Sequence, residues 1–232
     1  MFAGTWTDGA ESIMLKVDVH SDSYRLIPSH FPPITLFENL LDPSELDAAY
    51  ALESLTNDRL QDKVGNIALV PPEDRVTGPG TTAIMAAFTH VGVESRFTKG
   101  RFGVYYAGLD LDTAIAESKF SRARFMSATN EEPQLLTMRC YHCVVNAPLV
   151  DVRGDNKVHD RDSFIYAQAL GEKLKHENEL GILYRSVRHP GGQCVAVLRP
   201  PALTPPAIQA GHYQFHWDGN AITHILSVAE KL

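Results

Sequence analysis

The sequence predicts a mixed α+β domain, with mostly antiparallel sheets and flanking helices. Three observations predict it. Short β-branched and aromatic runs, such as Val104 to Ala107 and Gly181 to Arg188, sit between glycines, prolines and polar turns. Stretches of helical spacing with N-terminal caps follow Asp42 and Asp110. Strand-like and helix-like segments alternate irregularly along the chain.

Composition narrows the function classes. The chain has 232 residues, 44% hydrophobic and 21% charged, which suits one large globular domain with extensions. Its 21 basic and 28 acidic residues give a net charge of −7, with no basic run. That argues against direct nucleic-acid binding, which rests on neutralising phosphates. A local basic pocket for a small phosphorylated ligand stays open. Three cysteines, an odd number, fit free thiols in a reducing compartment. The N-terminus carries no basic region followed by an apolar core, and no apolar run approaches the ~20 residues of a membrane span. A cytoplasmic protein without membrane contact is the expectation.

In chain order, residues 1–30 are polar and poorly periodic and read as an irregular arm. Phe31-Pro32-Pro33-Ile34 is a rigid extended segment. Asp42-Pro43-Ser44-Glu45 starts a helix to about Leu60. Ile67 to Val70 reads as a short strand stopped by two prolines. A glycine-bearing loop, Asp74 to Thr82, feeds a helix from Ala83 to about His90. Backbone N–H groups at such a start suit an anion, although a plain turn explains the loop better. Glu94 to Ala107 reads as strand, turn, strand. Asp110 or Asp112 then caps a helix to about Phe125, with Glu117 in its first or second turn. Leu135 to Val145 is a strand broken by Asn146-Ala147-Pro148, and Leu149 to Val152 is a second one. After a polar loop comes a helix through Tyr166, Ala169, Leu170 and Leu174. Gly181 to Arg188 and Cys194 to Leu198 are strands around the turn at His189 to Gly192. The remainder is a tail with Pro205-Pro206 and a histidine-rich aromatic segment.

Three chemistries compete. Cys140-Tyr141-His142-Cys143 is a CxxC, but zinc wants four ligands, only Cys194 remains, and a strand puts Cys140 and Cys143 on opposite faces. Buried thiols explain it better, and no metal is expected. His212 and His216 have no acidic partner nearby in sequence. Ser186 lacks a Gly-x-Ser-x-Gly elbow, so a hydrolase built on it is disfavoured. The third is a nucleotide cleft. Arg75, Arg96 and Arg101 suit a pyrophosphate, Tyr105 or Tyr106 offers a flat face, and Glu117 is a carboxylate for a sugar cation. The helix pattern alone favours a solvent-facing Glu117.

At these residues the chain resembles the RES domain family, named for arginine, glutamate and serine. Asp74-Arg75-Val76-Thr77-Gly78 and Ser95-Arg96-Phe97 both fit the first arginine. Gly103-Val104-Tyr105-Tyr106-Ala107 with Thr113-Ala114-Ile115-Ala116-Glu117 supplies the tyrosine and glutamate. Gly181-Ile182-Leu183-Tyr184-Arg185-Ser186-Val187-Arg188 with Gly191-Gly192-Gln193-Cys194 supplies the serine. Phe31-Pro32-Pro33 and Thr56-Asn57-Asp58-Arg59 resemble longer members with an N-terminal extension. The expected division is an extension with one helix over 1–64, a RES domain over 65–202 and a tail over 203–232 packed on or near it.

The resemblance implies an ADP-ribosyltransferase-like fold. It implies the toxin of a type II toxin–antitoxin system, partnered by an Xre-type antitoxin with a helix-turn-helix. It further implies NAD as substrate, no metal, and transfer of ADP-ribose to a cellular protein, water or phosphate, causing growth arrest. In that reading Glu117 is catalytic, Arg75 and Arg96 grip the pyrophosphate, Tyr106 stacks on nicotinamide, and Ser186 positions the ribose or Glu117. The competing reading is a non-catalytic module that binds a nucleotide or a partner.

Overall fold

The computed structural model of the chain describes residues 14–29 and 65–229. Seven strands form one sheet in the order β1 (Lys16–Pro28), β2 (Tyr105–Gly108), β5 (Gln193–Val197), β4 (Gly181–Arg185), β3 (Gln134–Asp151), β6 (Leu203–Trp217), β7 (Ile222–Val228). Among the described residues three α-helices accompany it: α1 (Thr81–Thr89), α2 (Leu111–Ala128) and α3 (Ile165–His176). Among the described residues only β3 and β4 pair in parallel; every other ladder there is antiparallel. β1 also pairs with β3 along its whole length, so the first five strands close into a ring. The fold is the expected mixed α+β class. No helix among the described residues is long and apolar enough to cross a membrane.

The ring separates two cores. Leu183, Val195 and Val197 face one side, packed with Ile84, Met85 and Phe88 of α1. Their neighbours Ile182, Tyr184, Cys194 and Ala196 face the other, packed with Ala167, Leu170 and Leu174 of α3. Burial on both faces is why β4 and β5 read as continuous apolar runs rather than alternating ones. A third cluster, Met126, Leu136, Met138, Phe215, Trp217 and Ile222, joins the end of α2 to β3, β6 and β7.

Several expectations are corrected. The arm over 1–30 contains β1, whose Val19 and Ser23 are buried against the sheet. Ile67 to Val70 is a 3-10 turn, Ile67–Leu69, whose start is capped by the Asn66 side chain accepting from Ala68 N–H. Glu94 to Ala107 holds one strand, β2, preceded only by a bridge between Ser95 and Thr98. β3 runs unbroken through Pro148. Asp151 N–H donates to Leu15 O on the β1 side, so by alternation the proline nitrogen faces the opposite edge. There β6 pairing ends at Val145 and β4 pairing begins at Val150, so no ladder bond is lost. On α3 the buried face is Ala167, Leu170 and Leu174, while Tyr166 is exposed. The segment read as a tail supplies β6 and β7. The helix expected after Asp42 and the Phe31-Pro32-Pro33 segment lie outside the described residues.

Candidate active site

Strand order sets the site. β5 lies between β2 and β4, so the turn leaving β2 and the loop from β4 to β5 emerge side by side. The first turn leads into α2 through Gly108, where a Cβ would press on the backbone of Asp110 and Ala114. Asp110 caps the helix by accepting from Thr113 N–H at 2.7 Å. Glu117 follows one turn after Thr113, on the same face. The β4–β5 loop carries Ser186.

These two elements meet at Glu117. The Ser186 hydroxyl donates to Glu117 Oε1 at 2.6 Å, and Val187 N–H donates to the same oxygen at 3.2 Å. Ser186 Oγ in turn accepts the N–H groups of Arg188 at 3.1 Å and His189 at 2.8 Å. Two incoming N–H groups occupy the hydroxyl's lone pairs, so its proton points at the carboxylate. Oε1 is therefore held twice, and Oε2 accepts no hydrogen bond from the described residues.

Ser186 opens onto a cleft of about 860 Å³ whose lining includes Arg153, Arg161, Arg185, Arg188 and His159. The lining contains no Asp or Glu, in a chain whose net charge is −7. A concavity lined by one sign of charge concentrates ligands of the other sign. Arg153 is spent on Asp151, at 2.7 and 2.9 Å, and on Gln193 Oε1 at 2.8 Å. Arg185 donates to Asn156 Oδ1 at 2.8 Å. Arg188 donates to Arg161 O at 2.9 Å and lies over the Phe120 ring at 3.3 Å. Burial lowers the Arg188 pKa while the Glu117 carboxylate opposes the shift. His159 Nδ1 bonds Asp155 O at 2.7 Å, so Nε2 is free to accept Arg185 N–H at 2.9 Å. Burial, together with the charges of Arg185 and Arg96, lowers its pKa below the usual value.

The structure thus brings Glu117 and Ser186 into contact and places the other expected residues elsewhere. Arg96 lies behind the cleft, 7% exposed. It donates to Val158 O at 2.8 Å and Asp160 O at 2.9 Å, holding the loop that carries His159 and Arg161. Its charge lowers the pKa of both His159 and Arg188. Arg75, also 7% exposed, donates from Nε to Val70 O at 3.0 Å and does not line the cleft. Tyr106 does not line it either. Its hydroxyl accepts Phe97 N–H at 2.9 Å and bonds Ser95 Oγ at 2.8 Å, gripping the chain on both sides of Arg96. Its ring stacks on Phe97, with centroids 6.4 Å apart, and burial pushes its pKa up to about 12. Tyr105 is buried. Cys140, Cys143 and Cys194 are free, buried thiols.

Sequence reasoning missed the cleft arginines and His159. The signal was present for two of them, since Arg185 and Arg188 flank Ser186 at positions −1 and +2. Arg153, His159 and Arg161 belong to the polar segment between β3 and α3, which pattern alone reads as a solvated loop.

Comparison with known proteins adds the following. The family model for the RES domain matches residues 72–218. The uncharacterized protein y4oC of Sinorhizobium fredii (strain NBRC 101917 / NGR234) is 31% identical over 214 residues, covering 90% of this chain and 89% of that protein. A chain of the crystal structure of the M. tuberculosis MbcT–MbcA toxin–antitoxin complex aligns with a TM-score of 0.45 at 11% identity, covering 92% of this chain and 86% of that one.

Proposed function

The chain belongs to the RES domain family, and from that premise we propose that it is the toxin of a type II toxin–antitoxin pair, acting in the cytoplasm by consuming NAD. The observation that carries the proposal is the 2.6 Å hydrogen bond to Glu117 from Ser186, a residue that lines an arginine-rich cleft.

The chemistry suits those groups. Breaking the nicotinamide–ribose bond releases neutral nicotinamide and leaves a sugar with oxocarbenium character. A carboxylate already aimed at that position stabilises the developing charge without reorganising. In this reading Oε1 is anchored by Ser186 and Val187, and Oε2 accepts a hydroxyl of the nicotinamide ribose. The pyrophosphate falls to the arginines that line the cleft, Arg185 and Arg188 first, with the charge of Arg96 behind them. Arg75 keeps a structural role at the turn before α1. Tyr106 acts as a positioning residue, through its hold on Ser95 and Phe97, rather than as a stacking face. No step needs a metal ion. The partner is an Xre-type antitoxin with a helix-turn-helix, and the consequence of the unpartnered toxin is growth arrest.

The acceptor is water, phosphate or a protein side chain, and the products separate the three. Purified protein is incubated with NAD, with NAD and phosphate, and with NAD and cell lysate, then analysed by mass spectrometry. Nicotinamide with free ADP-ribose marks hydrolysis. ADP-ribose phosphorylated at its anomeric carbon marks phosphorolysis. A lysate protein heavier by one ADP-ribosyl group marks transfer. Intact NAD under all three conditions overturns the proposal and leaves a binding module.

A further inference from the structure

The β4–β5 loop is tied to α2 at a second point, one helical turn below Glu117. The His189 ring meets Thr113 there, with Nδ1 at 2.8 Å from Thr113 Oγ1. Thr113 Oγ1 is 2.7 Å from Asp110 Oδ2, and Asp110 Oδ1 accepts Thr113 N–H at 2.7 Å. A carboxylate has no proton to give, so the single hydroxyl proton of Thr113 goes to Asp110. Thr113 Oγ1 is then the acceptor for His189, whose Nδ1 must carry a proton. The chain runs in one direction, from His189 through Thr113 to Asp110.

Thr113 is fully buried and packs against Gly192 so closely that a Cβ there would collide with its hydroxyl. Backbone bonds carry the constraint onward. His189 N–H donates to Ser186 Oγ at 2.8 Å, Gly192 N–H to His189 O at 3.0 Å, and Ser186 N–H to Gly192 O at 2.9 Å. His189 itself does not line the cleft.

We infer that His189, Thr113 and Asp110 form a brace that positions Ser186 and Val187 against Glu117, making all three positioning residues for the reaction. The inference rests on the proposed NAD-cleaving role of Glu117. Without the brace, the loop that fixes Oε1 keeps its sequence and loses its register on α2. A small misplacement of a group acting on the transition state costs rate far more than binding. Of the arginines that would hold the pyrophosphate, Arg185 ends β4 outside the braced loop, and the Arg188 side chain has its own ties to Arg161 O and the Phe120 ring.

Thr113→Val keeps the shape and removes the hydroxyl, whereas Thr113→Ser keeps the hydroxyl. In nicotinamide release from NAD, Thr113→Val is expected to lower kcat by about 10- to 100-fold, with KM unchanged, and Thr113→Ser to restore it. Amide hydrogen exchange over residues 186–192, measured without NAD, is expected to accelerate in Thr113→Val and not in Thr113→Ser. If Thr113→Val does not fold, His189→Phe breaks the brace at its half-exposed end, and His189→Asn keeps a donor near the Nδ1 position. Either broken brace leaving kcat and exchange unchanged overturns the inference. So does an equally slow hydroxyl-retaining variant, or a loss confined to KM. A wild-type protein that releases no nicotinamide refutes the proposed reaction instead, and the exchange measurement still decides the brace.

Discussion

Replacing Ser186 by alanine removes one oxygen and the three hydrogen bonds it makes, to Glu117 Oε1, Arg188 N and His189 N. A bond to a carboxylate is worth about 1.5–3 kcal/mol and each backbone bond about 1 kcal/mol, so about 3.5–5 kcal/mol is at stake if nothing replaces them. Ser186 lines an open cleft, so water reaches the freed N–H groups and roughly halves that cost, to about 2 kcal/mol. For a chain of this size that lowers the unfolding midpoint by about 4–8 °C. The effect on rate is expected to be larger. Glu117 keeps only the longer bond from Val187 N–H at 3.2 Å, and its carboxylate is free to turn. A loss of about 100-fold in kcat, or about 2.7 kcal/mol, is expected, with little change in KM. The assay is the initial rate of nicotinamide release, by chromatography, across a range of NAD concentrations at a temperature well below the variant's midpoint. A folded Ser186→Ala protein with kcat within about twofold of wild type would refute the proposed anchoring of Glu117.

Arg188→Ala should raise KM for NAD by about 10- to 100-fold, the worth of one charge-assisted contact, while Arg75→Ala lowers stability and leaves KM alone; steady-state kinetics on folded protein separate the two arginines. Tyr106→Phe deletes the hydroxyl between Ser95 and Phe97 and should cost about 1–3 kcal/mol in urea unfolding. Gly192→Ala forces a methyl onto Thr113 and should both lower the thermal midpoint and slow nicotinamide release. His159 has a folded-state pKa below its usual value of 6.5. Between the two values the unfolded chain binds a proton that the folded chain refuses, so stability rises with pH there and is lost as pH falls. Protonation also removes the Nε2 lone pair that accepts Arg185 N–H. The thermal midpoint should therefore drop from about pH 7 to about pH 5, and His159→Gln should drop less over the same window.

Much of the frame could be read from residue pattern. Glycine bounds β2, Asp110 caps α2, and the apolar runs of β4 and β5 mark strands buried on both faces. What failed were segments whose strand character depends on a distant partner. β1 carries Val17 and Val19 between polar residues, a short alternation among polar neighbours, and β3 supplies its pairing from more than a hundred residues away. β6 hides an alternation of Tyr213, Phe215 and Trp217 behind Pro205 and Pro206. Pro148 looked like a break because sequence alone does not say which edge of a strand is unpaired.

The site divides the same way. Glu117 and Ser186 stand 69 positions apart, and no spacing rule joins them; the family resemblance named both. The arginines show the limit of residue type as a guide. Arg75 and Arg96 have the right chemistry, yet both are committed to backbone carbonyls. Arg161 reaches the cleft because the polar segment after β3 folds back beside β4, and Arg185 and Arg188 reach it from the end of β4 and the loop that follows.

The most direct test of the central claim compares wild type with Glu117→Gln, measuring NAD binding by calorimetry and nicotinamide release in the same preparations. Glutamine keeps the shape and a hydrogen-bonding oxygen and removes the negative charge. The expected result is similar NAD affinity in both proteins, with release at least about 100-fold slower in Glu117→Gln. Equal rates of release, or no release by wild type, would contradict the assignment of Glu117 as the group that stabilises the sugar cation.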